Sequence, residues 1–401
     1  MLSQSVNPKH EKFLDYSIYF ALGAYALGLV TSITLLAVAH ICMLVPCIYF
    51  ATKTDWKKLP KSSWALLGFV VAIILSVLTN LETMKHGWKP ILKTKYFLYG
   101  FFSIAPIYYY LKNKNSKQRQ TRLIAMMLAA SLVALIGGTI GKNTGFNPIL
   151  MKNVNMDRNA GLMGMVLNYA HNLAYFMTIF AAILIGTWRD ISKRNKIIYL
   201  SILALNIFAL YTTYTRGAIL AFIAGVLGYY LKDLKKFLVA MLVLLVIGIT
   251  GYFTSYKNFQ REGSNIERLS MWKAAVSAYQ EKPVFGWGYL NFEHHSLDIK
   301  KRYGYAKLEF GGHAHNSILE VMAATGTVGL ISFLLWVGLW TLELFRREDI
   351  WSRVELAALC AFFVGGLTQS TIGLGINLFF IMVVYAISAA NTLKQSEANH
   401  A

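Results

Sequence analysis

Residues 310–330 read FGGHAHNSILEVMAATGTVGL. The first half carries His313, His315 and Asn316, and the second half runs straight into apolar residues that continue to Phe345. A bilayer core about 30 Å thick takes roughly 20 apolar residues of α-helix, so Ile318 to Phe345 is long enough to span. The imidazoles then stand where water meets lipid, at the mouth of a membrane span.

The rest of the chain has the same character. Of 401 residues, 56% are hydrophobic and only 14% charged, whereas soluble domains carry about 25% charged residues. Apolar runs between charged clusters fall at Tyr16 to Thr52, Trp64 to Leu81, Tyr96 to Leu111, Leu123 to Ile140, Leu162 to Trp188 and Ile197 to Tyr211. Others fall at Ala218 to Leu231, Phe237 to Phe253, Leu356 to Leu367 and Leu374 to Ala389. The first run is too long for one span and is expected to break near Thr31 to Thr34. The pattern predicts an all-α polytopic membrane protein with about twelve transmembrane helices. Residues 1–254 hold the first nine, 255–316 form one long loop, and 317–401 hold the last three and a tail.

Basic residues in short connections mark the cytoplasmic side. They cluster on alternate connections, at Lys53 to Lys61, Lys112 to Arg122, Arg189 to Lys196, Lys232 to Lys236 and Arg346 to Arg353. Both termini are therefore expected inside, and the long loop outside. One connection departs from the rule: Lys85, Lys89, Lys93 and Lys95 lie on an expected outer turn, which either weakens this topology or marks an anion site. The net charge of +20 thus includes an outer excess that asks for an anionic partner. Cys42, Cys47 and Cys360 fall in spans and read as core fillers.

Within the long loop, IERLSMWKAAVSAYQEKP places Leu269, Trp272, Val276 and Tyr279 at helical spacing, an amphipathic helix lying on the membrane or over a pocket. Arg268 shares a face with Trp272, and Arg261 and Lys273 are near in sequence. Arg216, in LYTTYTRGAILAF, opens a span, where an arginine is costly unless its charge finds a partner. Arg158, in NMDRNAGLMG, stands before another span. Arginines from separate segments could converge on one polyanion, since each guanidinium can grip phosphate oxygens through two parallel hydrogen bonds. Solvated surface cations are the alternative. A neutral imidazole at His313 or His315 suits proton abstraction from a hydroxyl; a helix-capping role and a loop metal site shared with His294 and His295 also fit. Glu320, one turn into its span, and His171 with Asn172 are intramembrane polars that either knit helices together or touch a substrate.

TYTRGA after a span, RLSMWKAAVSAYQEKPVFGWGYLNF in the loop and HAHNSILEVMAATGTVGL entering the next span together resemble the O-antigen ligase and polymerase superfamily of bacterial envelopes. The resemblance implies glycosyl transfer on the periplasmic face of the inner membrane, from an undecaprenyl diphosphate-linked glycan to a sugar hydroxyl of lipid A core. It implies His315 as base and Arg216 and Arg268 as catalytic arginines. Arg158 and Arg261 would join them on the diphosphate, with His313, Asn316 and Glu320 supporting. The donor already carries a good leaving group, so neither a nucleotide, a cofactor nor a metal ion is expected, and no nucleic-acid partner. Direct displacement would invert the anomeric centre; a retaining route would need Glu320 as nucleophile. One long loop rather than two favours a ligase over a polymerase with the same donor. A protein O-oligosaccharyltransferase or a lipid-linked sugar transporter are the further alternatives.

Overall fold

The computed structural model describes residues 8–112, 116–154, 156–259, 262–305, 310–373 and 375–400. Fourteen α-helices run in chain order among the described residues: α1 Pro8–Thr31, α2 Ile33–Ala51, α3 Lys61–Leu78, α4 Lys95–Lys112, α5 Ser116–Thr144, α6 Val166–Thr187 and α7 Lys193–Tyr211. They continue with α8 Arg216–Tyr229, α9 Leu234–Phe259, α10 Glu262–Glu281, α11 Phe292–Arg302, α12 Ser317–Phe345, α13 Ile350–Gly366 and α14 Gly375–His400. The one β-pair among the described residues joins Phe146–Asn147 to Lys152–Asn153.

The protein is an all-α polytopic membrane protein. Among the described residues, seven helices are long and apolar enough to cross a bilayer, namely α1, α2, α3, α5, α6, α12 and α14, and α8 is a shorter apolar helix. The expected twelve correspond to all fourteen except α10 and α11. The long first run does break, at Ser32, whose extended backbone separates α1 from α2. α9 continues to Phe259, past the expected boundary at 254, because helical backbone bonding carries on after the apolar run ends.

The bundle packs α13 against α8, α12 against α3, α14 against α4 and α1 against α2. Its centre is aromatic: Trp336 and Trp340 of α12 are each 1% exposed and meet Tyr385 of α14 edge-on. The three cysteines are free thiols within this packing.

Two features add to the sequence reading: the first chooses between its alternatives for α10, and the second departs from it. In α10 the buried face is Met271, Ala274, Ala275 and Ala278, whereas Leu269, Trp272 and Val276 are exposed. Small residues let α10 approach α11 and α12 closely, and the large apolar stripe is left outward, as a helix at a membrane surface requires. The departure is in α12, which is interrupted at Gly326 (φ 63°, ψ −161°) rather than running through.

That break is stitched to the α10–α11 connection. The carbonyls of Ala323 and Ala324 accept from the N–H groups of Trp287 and Gly288, each at 2.9 Å. The N–H groups of Thr327 and Val328 donate to the carbonyls of Pro283 and Val284 at 2.8 and 3.2 Å. Backbone groups freed in a broken membrane helix need such partners. The two chains approach so closely that a Cβ on Gly326 would lie 2.3 Å from the Val284 carbonyl oxygen, and one on Gly286 2.5 Å from the Ala324 carbonyl carbon. Both glycines have positive φ, so no other residue fits easily.

Candidate active site

At the end of the bundle where α12 begins, five segments meet around a polar cleft of about 390 Å³, its open mouth included. Its lining includes Arg158, His171, Tyr214, Arg216, Arg268 and Gln369. Arginines that lie far apart in sequence are thus brought to one space. Arg261 lies outside the described residues.

Arg158 and Arg216 are each held by their surroundings. Arg158 donates from Nε to the Thr213 carbonyl at 2.8 Å and from a terminal nitrogen to Thr215 Oγ1 at 2.7 Å. Its segment is docked there because Asn159 N–H donates to the Thr212 carbonyl at 3.1 Å. Arg216 donates to Asn265 Oδ1 of α10 at 2.8 Å, linking the start of α8 to the helix that carries Arg268. Arg216 and Gly217 are also the first residues of α8, so the positive end of the helix dipole adds to the guanidinium charge. Gly217 is required there, since a Cβ would lie 2.0 Å from Thr368 Oγ1. Such a cleft suits an anion with several oxygens.

The histidines come in on the segment before α12. His315 has φ of 51°, left-handed backbone that costs a non-glycine residue energy and that the surroundings must hold in place. They do so on both sides. Asn316 caps α12 by accepting from the N–H groups of Ile318 and Leu319 at 3.0 and 3.1 Å. Ala314 N–H donates to Glu320 Oε2 at 2.7 Å, and Thr371 N–H donates to Ser317 Oγ at 3.0 Å. Asn316 and Glu320 therefore act on the backbone of the histidine segment. Tyr214, two residues before Arg216, is also left-handed, with φ of 47°.

Gln369 joins the two halves of the site. It is buried, lines the arginine cleft, and its Oε1 lies 3.0 Å from His315 Nδ1. An amide oxygen only accepts, so His315 carries its proton on Nδ1 and keeps the lone pair on Nε2. The amide nitrogen of Gln369 donates to His313 Nε2 at 3.3 Å, and the two rings lie 4.5 Å apart. Burial lowers the His315 pKa below its ordinary 6.5; the Gln369 bond opposes this and the charge of Arg268 adds to it. Burial, with His315 beside it, takes His313 down to about 4. Both rings are neutral at pH 7.

A buried ammonium ties α10 to the histidine segment. Lys300 of α11, fully buried, donates to Glu267 Oε1 at 2.6 Å and to the Phe310 carbonyl at 2.8 Å. Glu267 precedes Arg268, and Phe310 opens the segment that ends in His315. The sequence reading singled out neither Lys300 nor Gln369. Gln369 sits in LTQSTIG, a polar knot between two apolar helices, and that polarity was the only signal available. His294 lies instead beside His86, with ring centroids 5.1 Å apart. Among the described residues no three His, Cys, Asp or Glu side chains gather as metal ligands would.

Residues 201–334 match the family pattern of O-antigen ligase. An O-antigen ligase of Salmonella typhimurium is 28% identical over 197 residues, 45% of this chain and 48% of that protein. An uncharacterized protein of Haemophilus influenzae is 28% identical over 137 residues, 28% of this chain and 34% of the relative. The chain thus spans about half the length of one curated relative and about a third of the other. The family match contains Arg216, Arg268, His313, His315 and the stitched break at Gly326. On that shared stretch, together with its helical membrane architecture, the chain is similar to the O-antigen ligase family.

Proposed function

We propose that this protein is an O-antigen ligase. It transfers a glycan from undecaprenyl diphosphate to a sugar hydroxyl of lipid A core at the periplasmic face of a bacterial inner membrane. The observation that carries this reading is that Gln369 lines the arginine cleft and at the same time binds His315. A diphosphate leaving group and a hydroxyl-activating base are thereby adjacent.

The orientation rests on charge. Charged contacts such as Lys112 with Glu397, Arg119 with Asp15 and Arg347 with Glu355 occupy the end of the bundle away from the cleft. Basic residues favour the cytoplasm, which leaves the cleft outside.

Arg158, Arg216 and Arg268 would bind the diphosphate oxygens and stabilise the charge that grows on them as the bond to the sugar breaks. His315 Nε2 takes the proton of the acceptor hydroxyl as its oxygen bonds to the anomeric carbon. The electron pair of the old carbon–oxygen bond leaves on the diphosphate. Attack from the face opposite the leaving group inverts the centre. Glu320 is engaged by the Ala314 N–H, which favours this single displacement over a route with a carboxylate nucleophile.

The test is transfer by the purified protein from undecaprenyl diphosphate glycan to lipid A core, beside His315→Ala. Product from the wild type and none from the folded variant is expected. Wild-type transfer by His315→Ala would sink the assignment of the base. Growth of the glycan on its undecaprenyl carrier, with the core left bare, would make the protein a polymerase.

A further inference from the structure

The connection between α3 and α4 is unlike a solvent loop. Lys85, Lys89 and Lys93 are all exposed, and none pairs with a carboxylate among the described residues. Interleaved with them, Leu81, Trp88 and Leu92 are 44%, 59% and 54% exposed. Exposed tryptophan and leucine among lysines is the composition of a surface lying at a lipid headgroup layer. The cations exceed the acids: with Lys95 there are four lysines, against Glu82 on the same segment and Glu293 nearby.

This segment is fixed to the extramembrane unit that helps build the active site. Asn80 Nδ2 donates to the Gly286 carbonyl at 3.0 Å, and Lys282 Nζ donates to Asn80 Oδ1 at 2.7 Å. Lys85 N–H donates to Asn291 Oδ1 at 3.1 Å, and the Thr83 carbonyl accepts from Asn291 Nδ2 and His295 Nε2 at 3.3 and 3.1 Å. These bonds anchor backbone and neutral groups and leave the ammonium groups outward. They also put the lysines at the cleft's end of the bundle, where the positive-inside rule gives no reason for them.

We infer that residues 81–95 form a docking surface for the phosphate groups of an anionic lipid, and that this lipid is the acceptor, held at the membrane interface on the cleft's end of the bundle. The choice of acceptor rests on the proposed transfer; the preference for a phosphate-bearing lipid head does not.

The first arm uses the full-length protein in vesicles of phosphatidylcholine containing brominated phosphatidylglycerol or brominated phosphatidylcholine. The signal of Trp88 is taken as the difference between wild type and Trp88→Phe. Stronger quenching by the anionic lipid is expected, with that preference lost in the triple variant Lys85→Gln, Lys89→Gln, Lys93→Gln. Lipid A core should relieve the quenching and its dephosphorylated form should not. Equal quenching by both lipids, or an unchanged preference in the triple variant, would overturn the inference. Quenching that lipid A core fails to relieve would overturn the acceptor as occupant, leaving bulk anionic lipid in its place. In the second arm the triple variant should show a KM for the acceptor raised about a hundredfold, from loss of three near-surface lysines, with the donor KM unchanged. A wild type that transfers nothing would sink the proposed function while leaving the quenching result standing.

Discussion

Replacing Gln369 with leucine removes one side chain that does two things, and the structure sets the size and direction of each effect. The bond from His315 Nδ1 to Gln369 Oε1, at 3.0 Å, keeps the proton off Nε2. A neutral hydrogen bond of this kind contributes about 0.5–1.5 kcal/mol, and about 1.4 kcal/mol is a factor of ten in rate. Loss of the tautomer adds to this, because part of the enzyme then presents an N–H where a lone pair is needed. Partners that orient a metal-bound histidine are worth about 10–100-fold in activity, and the same order is expected for an imidazole oriented by an amide. We expect kcat to fall by that amount with little change in donor KM, since the arginines are untouched. The pH profile separates positioning from simple damage. The Gln369 bond raises the His315 pKa against the lowering effect of burial. Without it the pKa falls further, the neutral base persists to lower pH, and the acid limb of kcat moves down. In Gln369→Glu a carboxylate favours the imidazolium, the pKa rises, and the acid limb moves up. The assay is kcat against pH for both variants. A leucine variant with wild-type kcat, or two acid limbs that move the same way, would refute this reasoning.

Arg216→Lys keeps the charge but loses the fork that reaches both Asn265 and the cleft; kcat/KM should fall about a hundredfold, as measured by transfer at subsaturating donor. Gly326→Ala puts a Cβ against the Val284 carbonyl oxygen and forces alanine into positive φ. It should cost at least about 1 kcal/mol, seen as a lower Tm in detergent, and an unchanged Tm would count against the stitched break. Lys300→Met leaves Glu267 buried without its ammonium partner, a change that typically costs about 3–5 kcal/mol. Tm should drop sharply, and adding Glu267→Gln should restore part of it.

The bundle was legible because a membrane span announces itself by length and apolarity, and even the break at Ser32 showed as a run too long for one helix. Arg216 was legible as a charge placed where it is expensive, Arg158 and Arg268 as arginines on separate outer segments, and His313 and His315 as imidazoles at the mouth of a span. Gln369 was not, because an amide between two apolar helices carries no charge and no spacing that points to His315, 54 residues away. Whether the apolar stripe of α10 lies on the membrane or over a pocket stayed open in the sequence for a related reason. Large apolar residues mark a helix face that avoids water, but they do not say whether lipid or protein covers it. Here alanines made the protein contact, and Trp272 and its neighbours stayed outside. The break in α12 had its signs in TGTVGL and PVFGWG, yet each glycine had meaning only once the other was opposite it.

The stitch between Pro283–Gly288 and the broken α12 has a consequence for when catalytic order is established. The half-helix from Ser317 to Thr325 begins just after His315, and the connection sewn to its far end begins just after the helix that carries Arg268. His315, the proposed base, and Arg268 are therefore mounted on one rigid frame and not on independently moving loops. The conformational entropy of bringing them together is lost once, as the chain folds, and recurs in no turnover.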